Sequence, residues 1–228
     1  MDEALARCGL FQNVESQAAE ALASNLKYLD LFKREVIFTE GEVGDSLYVV
    51  LEGKVKLSRL APDGRESLLA VLGPSDLLGE LAVFDPGPRT ASAVVVADAR
   101  LAQMRRDQLR PWLAERPEIG PHLLRVLARR LRRTGDQQAD LIFTDVAGRL
   151  AKALLDLAHR FGTPERSGAE HAIRLNHELT QDELAQLVGS SRETVNKALS
   201  GFATRGWIRL DGRSILLLNR DRLAQRVR

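Results

Sequence analysis

Between residues 30 and 104, apolar stretches of strand length alternate with turn chemistry. VIFTE at 36–40 runs into Gly41, Gly44 and Asp45; SLYVVLEGKVKLSRL at 46–60 contains Gly53; and Pro62-Asp63-Gly64-Arg65 precedes ESLLAVLG. Pro-Asp-Gly makes a turn because glycine takes φ > 0 at no steric cost. Short strands at this spacing imply a β-sandwich or jelly roll rather than a parallel sheet crossed by helices. From about Pro117 the period changes. Leu124, Leu127, Leu131, Thr134, Gln138 and Leu141 step by alternate threes and fours, the seam of a two-stranded coiled coil. One helix packed on its own domain gives the same stripe, but Thr134 and Gln138 are awkward in a plain core. In a dimer they can set register or touch a ligand. AGRLAKALLDLAHRFG then reads as another amphipathic helix, ended by Gly162 and Pro164, and TPERSGAEHA at 163–172 as a polar loop.

The stretch LTQDELAQLVGSSRETVNKALSGFATRGW at 179–207 predicts two short helices. Thr180 with Glu183 fits a capping box, and Leu184 and Val188 mark the inner face of the helix it starts. Gly189 suits a left-handed helix end. Ser190 with Glu193 fits a second capping box, opening a helix that buries Val195, Ala198 and Leu199. Two short helices joined by a tight glycine turn form a helix-turn-helix. Arg192, Glu193, Asn196 and Lys197 then share the outward face near the second N-terminus, where arginine can fork onto guanine and glutamate accept from cytosine. Glu193 is thereby offered both a cap and a base edge. Trp207–Leu210, Asp211-Gly212 and Ser214–Leu218 read as strand, turn and strand, a wing beside the two helices. Its Arg205, Arg209 and Arg213 are suited to phosphates, which position a protein on DNA without specifying sequence.

Composition narrows the picture. Hydrophobic residues make up 44% and charged residues 28% of the 228, a globular balance. The longest apolar runs, such as Leu68–Leu72, are far too short to span a bilayer, and MDEALARC lacks the basic and apolar regions of a secretory leader. No membrane association and a cytoplasmic location are therefore expected. A single cysteine, Cys8, fits a reducing compartment and excludes a four-cysteine iron–sulfur sensor. The net charge of +2 divides unevenly, −2 over residues 1–144 and +4 over 145–228, which places any polyanion partner on the second part. No nucleophile motif is present, so no enzyme is expected. His122, His159, His171 and His177 all lie beyond the β-rich region, which leaves a metal or haem site there without imidazole ligands.

GELAVFDPGPRTASA at 79–93 sets Gly79-Glu80 and Arg89-Thr90 on either side of a segment broken by Pro86, Gly87 and Pro88. The pairing suits a small anion held by backbone N–H groups, a guanidinium and a hydroxyl, with a carboxylate beside it. A turn bearing a surface ion pair would use the same residues.

Taken in order, these motifs resemble the cyclic-AMP receptor protein family of bacterial transcription regulators. GEL…FDPGPRTAS is similar to its phosphate-binding cassette, ARRLRRT to its dimer helix, FTDVAGRLAKALL to its hinge and next helix, and SRETVNKAL to its recognition helix. The resemblance covers essentially the whole chain. It implies an α+β fold: a cyclic-nucleotide-binding jelly roll over 1–116, a dimerisation helix and hinge over 117–144, and a winged helix-turn-helix over 145–228. It also implies that Gly79, Glu80, Leu81, Arg89 and Thr90 hold the ribose and cyclic phosphate of cyclic AMP, that Arg130 stands near this site, and that Thr134 reaches the adenine. Beside Thr134 the family commonly carries Ser or Asn; here it is Gly135, which has no side chain to cross a dimer. Thr180, Gln181, Ser191, Arg192, Glu193, Asn196, Lys197 and Arg213 are the expected contacts to double-stranded DNA. The implied protein is a homodimer with RNA polymerase as a partner, takes cyclic AMP as effector and no metal, and is not an enzyme. A regulator of the same architecture with weak or no ligand dependence, or answering another small-molecule effector, is the alternative.

Overall fold

The computed structural model describes residues 2–11, 14, 20, 23, 24, 26–165 and 172–227, with the backbone alone at 118. They fall into two units, Met1–Arg133 and Thr134–Arg228. The described elements of the first are α1 (Glu3–Arg7), β1 (Lys27–Leu31), β2 (Val36–Phe38), β3 (Ser46–Leu60), β4 (Glu66–Leu72), β5 (Leu77–Leu78), α2 (Leu81–Phe84), β6 (Ser92–Arg105), α3 (Arg106–Glu115) and a 3-10 turn at Pro117–Ile119. The helix α4 (Gly120–Phe143) begins in this unit.

Every strand pairing here is antiparallel, in the order β1-β6-β3-β4 with β2 also on β6 and β5 on β3. This is the antiparallel β domain that the short, turn-punctuated strands predict. Side chains alternate along β3, but the alternation inverts midway. Tyr48 and Val50 enter the apolar cluster shared with Phe38, Leu72, Leu78 and Leu101, while Leu47, Val49 and Leu51 enter a second cluster with Leu5, Phe11, Leu109 and Trp112. Past Gly53 the odd residues Val55 and Leu57 belong to the first cluster. A strand changes parity only through a bulge, and the register against β6 shifts between Val50 and Val55. Gly53 makes this possible. Its φ is +80°, and a Cβ there would stand 2.1 Å from the Asp98 carbonyl oxygen. Cys8 is sealed in the second cluster, and burial pushes its thiol up to about 11, so it packs as an inert apolar group.

The seam residues of α4 behave differently from a core stripe. Leu123, one residue off the seam, is buried in the first unit, whereas Leu124, Leu131 and Leu141 are 67%, 74% and 56% exposed. Thr134, Gly135 and Gln138 are exposed as well.

The second unit contains α5 (Val146–Phe161), β7 (Gly162–Pro164), β8 (Ile173–Leu175), α6 (Gln181–Val188), α7 (Arg192–Thr204), β9 (Ile208–Asp211), β10 (Ser214–Leu217) and α8 (Arg220–Arg226). Its sheet runs β7-β8-β10-β9. The stretch expected as polar loop thus opens on the end of a short strand, and its residues 166–171, including His171, lie outside the described residues. Asp145 caps α5 by accepting from the Gly148 N–H at 2.8 Å and pairs with Arg226. Those two contacts hold its carboxyl below the usual range. Arg149 of α5 donates to the carbonyls of Val188 at 2.8 Å and Gly189 at 3.2 Å, so the end of α6 is tied down by side-chain hydrogen bonds as well as by packing.

The capping box of Thr180 and Glu183 forms as expected, with the Glu183 N–H to Thr180 Oγ1 at 3.1 Å and the Thr180 N–H to Glu183 Oε2 at 2.8 Å. The second one does not. Gly189 takes φ 64° and the Ser190 N–H bonds back to the Ala185 carbonyl at 3.0 Å, so Ser190 still belongs to the end of α6. The next helix is displaced by one residue: Ser191 is its N-cap and accepts from the Thr194 N–H at 3.2 Å. Glu193 is released from capping. Val195 and Leu199 are buried on the inner face as expected, but Phe202 completes it while Ala198 is only half-buried. The wing turn also moves by one. Asp211 pairs with Ser214 in the ladder, leaving Gly212 and Arg213 as the turn, with φ 57° at Gly212. Glycine at the first central position is the requirement of a II′ hairpin, whose twist matches the strands.

Candidate functional site

Two surfaces carry the candidate residues, one in each unit. In the first, the stretch 79–93 folds as a positive-φ glycine, one turn of helix, a proline-bounded loop and the start of β6. Arg89 closes the loop. Its backbone N–H donates to the Glu42 carbonyl at 2.8 Å and its carbonyl accepts from the Gly41 N–H at 2.8 Å, while Val43 bridges Pro88. The guanidinium turns inward. Nη1 donates to the Gly79 carbonyl at 2.9 Å and Nη2 to the Ser46 carbonyl at 2.8 Å, and the whole residue is 6% exposed. None of its hydrogen bonds goes to a carboxylate. Burial holds its pKa below the ordinary arginine range, with Tyr48, Asp45, Glu42 and Glu80 pulling the other way through space. It remains a cation at any ordinary pH.

Gly79 is required by this geometry. Its φ is +76°, and a Cβ would stand 2.6 Å from Arg89 Nη1 and 3.0 Å from the Ser46 carbonyl oxygen. Gly44 is equally confined, since a Cβ there would meet Arg89 Nε at 2.8 Å and Ala82 Cβ at 2.5 Å. Glu80, next in the chain, is 1% exposed. Its Oε1 pairs with Nη1 of Arg130 on α4, and Arg130 Nη2 donates to the Leu77 carbonyl at 2.6 Å. Its Oε2 is enclosed and has no partner. A buried carboxylate oxygen without a donor is costly to keep, so it marks a place where a hydrogen-bond donor fits. Leu81 and Thr90 are exposed at the rim.

The structure therefore brings Gly79, Glu80, Arg89 and Arg130 into one connected set with Leu81 and Thr90 beside it. Thr134 stands one helical turn past Arg130 on α4, with Gly135 next to it, and a Cβ at Gly135 would meet nothing within 4 Å. Several participants escape the sequence reading. The Ser46 and Leu77 carbonyls hold Arg89 and Arg130, and backbone groups carry no residue signature. Arg106 donates through Nη2 to the Gly44 carbonyl at 2.8 Å and to that of Ala82, fastening the two halves of the loop system. Phe38 lies under Arg89, its ring centroid 4.2 Å from the guanidinium carbon.

The second surface is the exposed side of the helix-turn-helix. Gln181, Ser191, Arg192, Glu193 and Lys197 are exposed in the first turns of α6 and α7, and Thr180 is exposed at its cap. Arg192 reaches Asp182 at 3.4 Å across the turn, a pair 57% and 60% exposed whose net worth is small. Asn196 departs from the outward set. It is half-buried, with Oδ1 enclosed and unpartnered, between the exposed face and the core. Arg213 is exposed at the tip of the wing, and Arg205 lies over the Trp207 ring at 5.5 Å.

Comparison with known proteins covers both segments. A cyclic nucleotide-binding domain model matches residues 30–116 and a Crp-like helix-turn-helix domain model matches residues 148–226. The chain is 59% identical over 228 residues, all of both chains, to the CRP-like cAMP-activated global transcriptional regulator of Mycobacterium tuberculosis. It is 39% identical over 175 residues, 76% of each chain, to the cyclic AMP receptor protein of Thermus thermophilus. Among solved structures, FixK2 from Bradyrhizobium japonicum superposes with a TM-score of 0.76 at 26% identity, over 88% of this chain and 96% of that one.

Proposed function

From the premise that this chain belongs to the cyclic-AMP receptor protein family of transcription regulators, we propose that it is a homodimer that binds cyclic AMP at residues 79–90 and a two-fold symmetric DNA site through α7. One observation carries the ligand: a buried guanidinium with no carboxylate on it stands one loop away from a buried carboxylate oxygen with no donor on it. A ribose cyclic phosphate supplies both missing partners, an anion for Arg89 and a 2′-hydroxyl for Glu80 Oε2. Thr90 and backbone N–H groups of the loop share the phosphate oxygens, and Leu81 lies at its rim. Arg130 orients Glu80, and Thr134 of the dimer helix offers a hydroxyl to the base.

The exposed leucines of α4 support the dimer, since a second copy of the same seam buries them. Thr180, Gln181, Ser191, Arg192, Glu193, Asn196 and Lys197 form the proposed DNA face, with Arg213 on a phosphate. Ligand and DNA are linked as a population shift. Cyclic AMP favours the arrangement of dimer helices that spaces two copies of α7 for one operator. RNA polymerase is the proposed further partner and the cytoplasm the proposed place; among the described residues no helix is long and apolar enough to cross a membrane. A regulatory rather than catalytic role follows.

Titration calorimetry with cyclic AMP and cyclic GMP, followed by operator affinity with and without the bound nucleotide, tests this reading. Absence of binding by either nucleotide overturns the ligand, and absence of a preferred symmetric DNA site overturns the regulator. Gly135 sets the expected size of the response. A hydrogen bond from a side chain there is worth about 0.5–1.5 kcal/mol, and glycine in a helix interior costs about 0.8–1 kcal/mol relative to alanine. Coupling energies are themselves only about 1–3 kcal/mol. The native protein is therefore expected to bind operator appreciably without ligand and to gain little from cyclic AMP. Gly135→Ser, which meets open space, should tighten cyclic AMP binding and widen the gap between free and liganded operator affinity. A hundredfold response in the native protein, unimproved by serine, rejects this role for Gly135.

A further inference from the structure

A buried arginine is ordinarily neutralised by a carboxylate, because an unpaired charge in a protein interior is expensive. Arg89 is not. Asp45, Glu42 and Glu80 act on it only through space, and its hydrogen bonds go to two neutral carbonyls. What replaces the counter-ion is aromatic. The guanidinium carbon lies 4.2 Å from the Phe38 centroid and 5.9 Å from that of Tyr48. The two rings stack on each other at 5.9 Å with 30° between planes. Both are buried, at 7% exposure each, and belong to the apolar cluster inside the sheet. The negative face of a ring stabilises a cation without cancelling its charge, and it does so best away from water. A carboxylate in the same place would compete with any anion that entered.

We propose that Phe38, backed by Tyr48, is a positioning residue for the phosphate site: it keeps Arg89 buried, flat and un-neutralised, and so sets the affinity for the cyclic phosphodiester. Its place explains how it does so. Phe38 ends β2, immediately before the loop at 39–45 whose residues Gly41 and Glu42 bond the Arg89 backbone. The same segment therefore fixes the main chain of Arg89 from one side and its guanidinium from below. Without the ring, the guanidinium is expected to leave its two carbonyls for Asp45 or Glu42, and a phosphate must then displace a carboxylate to bind. This inference rests on the cyclic-nucleotide reading above and adds to it a residue outside the loop at 79–90.

The test is a cycle of variants in the full chain: native, Phe38→Leu, Phe38→Met and Arg89→Gln, and each Phe38 variant combined with Arg89→Gln. Cyclic AMP affinity is read from the ligand-dependent shift of the thermal midpoint across a wide concentration range, and folding from circular dichroism. Leucine and methionine keep the site apolar and remove the ring face, so each should weaken cyclic AMP binding by about three- to twentyfold, the range of a desolvated cation–π contact. In the Arg89→Gln background the same changes should cost less than about twofold, because the contact they remove is already gone. A Phe38 that served only to pack the sheet would cost the same in both backgrounds, and that result overturns the proposal. So does native-like affinity in either single variant. Should one of them fail to fold, the other decides alone. Failure of the native protein to bind cyclic AMP removes the functional reading itself, which this design separates from failure of Phe38.

Discussion

Arg89→Gln is expected to weaken cyclic AMP binding by at least tenfold while the first unit stays folded. The affinity loss follows from chemistry. A hydrogen bond between ionised partners is worth about 1.5–3 kcal/mol, and glutamine can offer the phosphate one neutral donor group in place of a charged fork. The persistence of the fold follows from burial. Arg89 is a cation held out of water without a bonded carboxylate, so removing its charge relieves a desolvation cost at the same time as it strips a donor from the Gly79 or Ser46 carbonyl. The two effects oppose, each on the order of 1–3 kcal/mol, and thermal stability without ligand should change little. Calorimetric titration of the folded variant measures the first effect and its unfolding midpoint the second. Unchanged affinity would remove Arg89 from the site.

The two arginines at the DNA face should behave differently from each other. Arg192 is exposed in the first turn of α7, where a bidentate contact to guanine discriminates by about 1–3 kcal/mol. Arg192→Ala is therefore expected to relax preference at one base pair in each half-site, by about five- to a hundredfold, and to leave the other positions as they were. Its pair with Asp182 is exposed and long at 3.4 Å, so losing it should not disturb the fold. Arg213 sits at the tip of a two-residue turn, a place suited to phosphate. Arg213→Ala should weaken matched and mismatched sites alike and lower the salt slope by about one ion. Operator panels titrated at several salt concentrations separate these outcomes. If the two variants responded alike on matched and mismatched sites, the division into reader and positioner would be wrong.

Much of this was written locally. Alternating strands, the heptad steps of α4, the capping box at Thr180 and the glycines at 79, 189 and 212 are decided by a side chain and its nearest neighbours along the chain. Those periodicities and turn residues are legible in the sequence alone. The helix-turn-helix and the pair of motifs at 79–80 and 89–90 were legible for the same reason. Two departures are also local, each a shift of one residue, at the second helix cap and at the wing turn. Ser190 and Ser191 both have capping chemistry, and only the Schellman bond from Ser190 back to Ala185 decides that the earlier helix keeps the first serine. Asp211-Gly212 and Gly212-Arg213 are both acceptable turns, and only the ladder pairing of Asp211 with Ser214 chooses between them.

The candidate site divides along the same line. Its charges lie close together in the chain, and sequence spacing alone indicates that a guanidinium and a carboxylate share one loop. It could not determine that the guanidinium would face inward onto Gly79 and Ser46 carbonyls, that a ring from β2 would lie beneath it, or that one oxygen of Glu80 would be sealed without a donor. Those facts depend on contacts between residues 10 to 51 positions apart, such as Gly79 with Arg89, Ser46 with Arg89 or Phe38 with Arg89. Several are made by backbone carbonyls, which every residue possesses. Side-chain identity and spacing encode what a segment can do; what it faces is settled only when β2, β3 and β6 pair and bury their apolar faces together, because that packing alone determines which groups leave water without a partner.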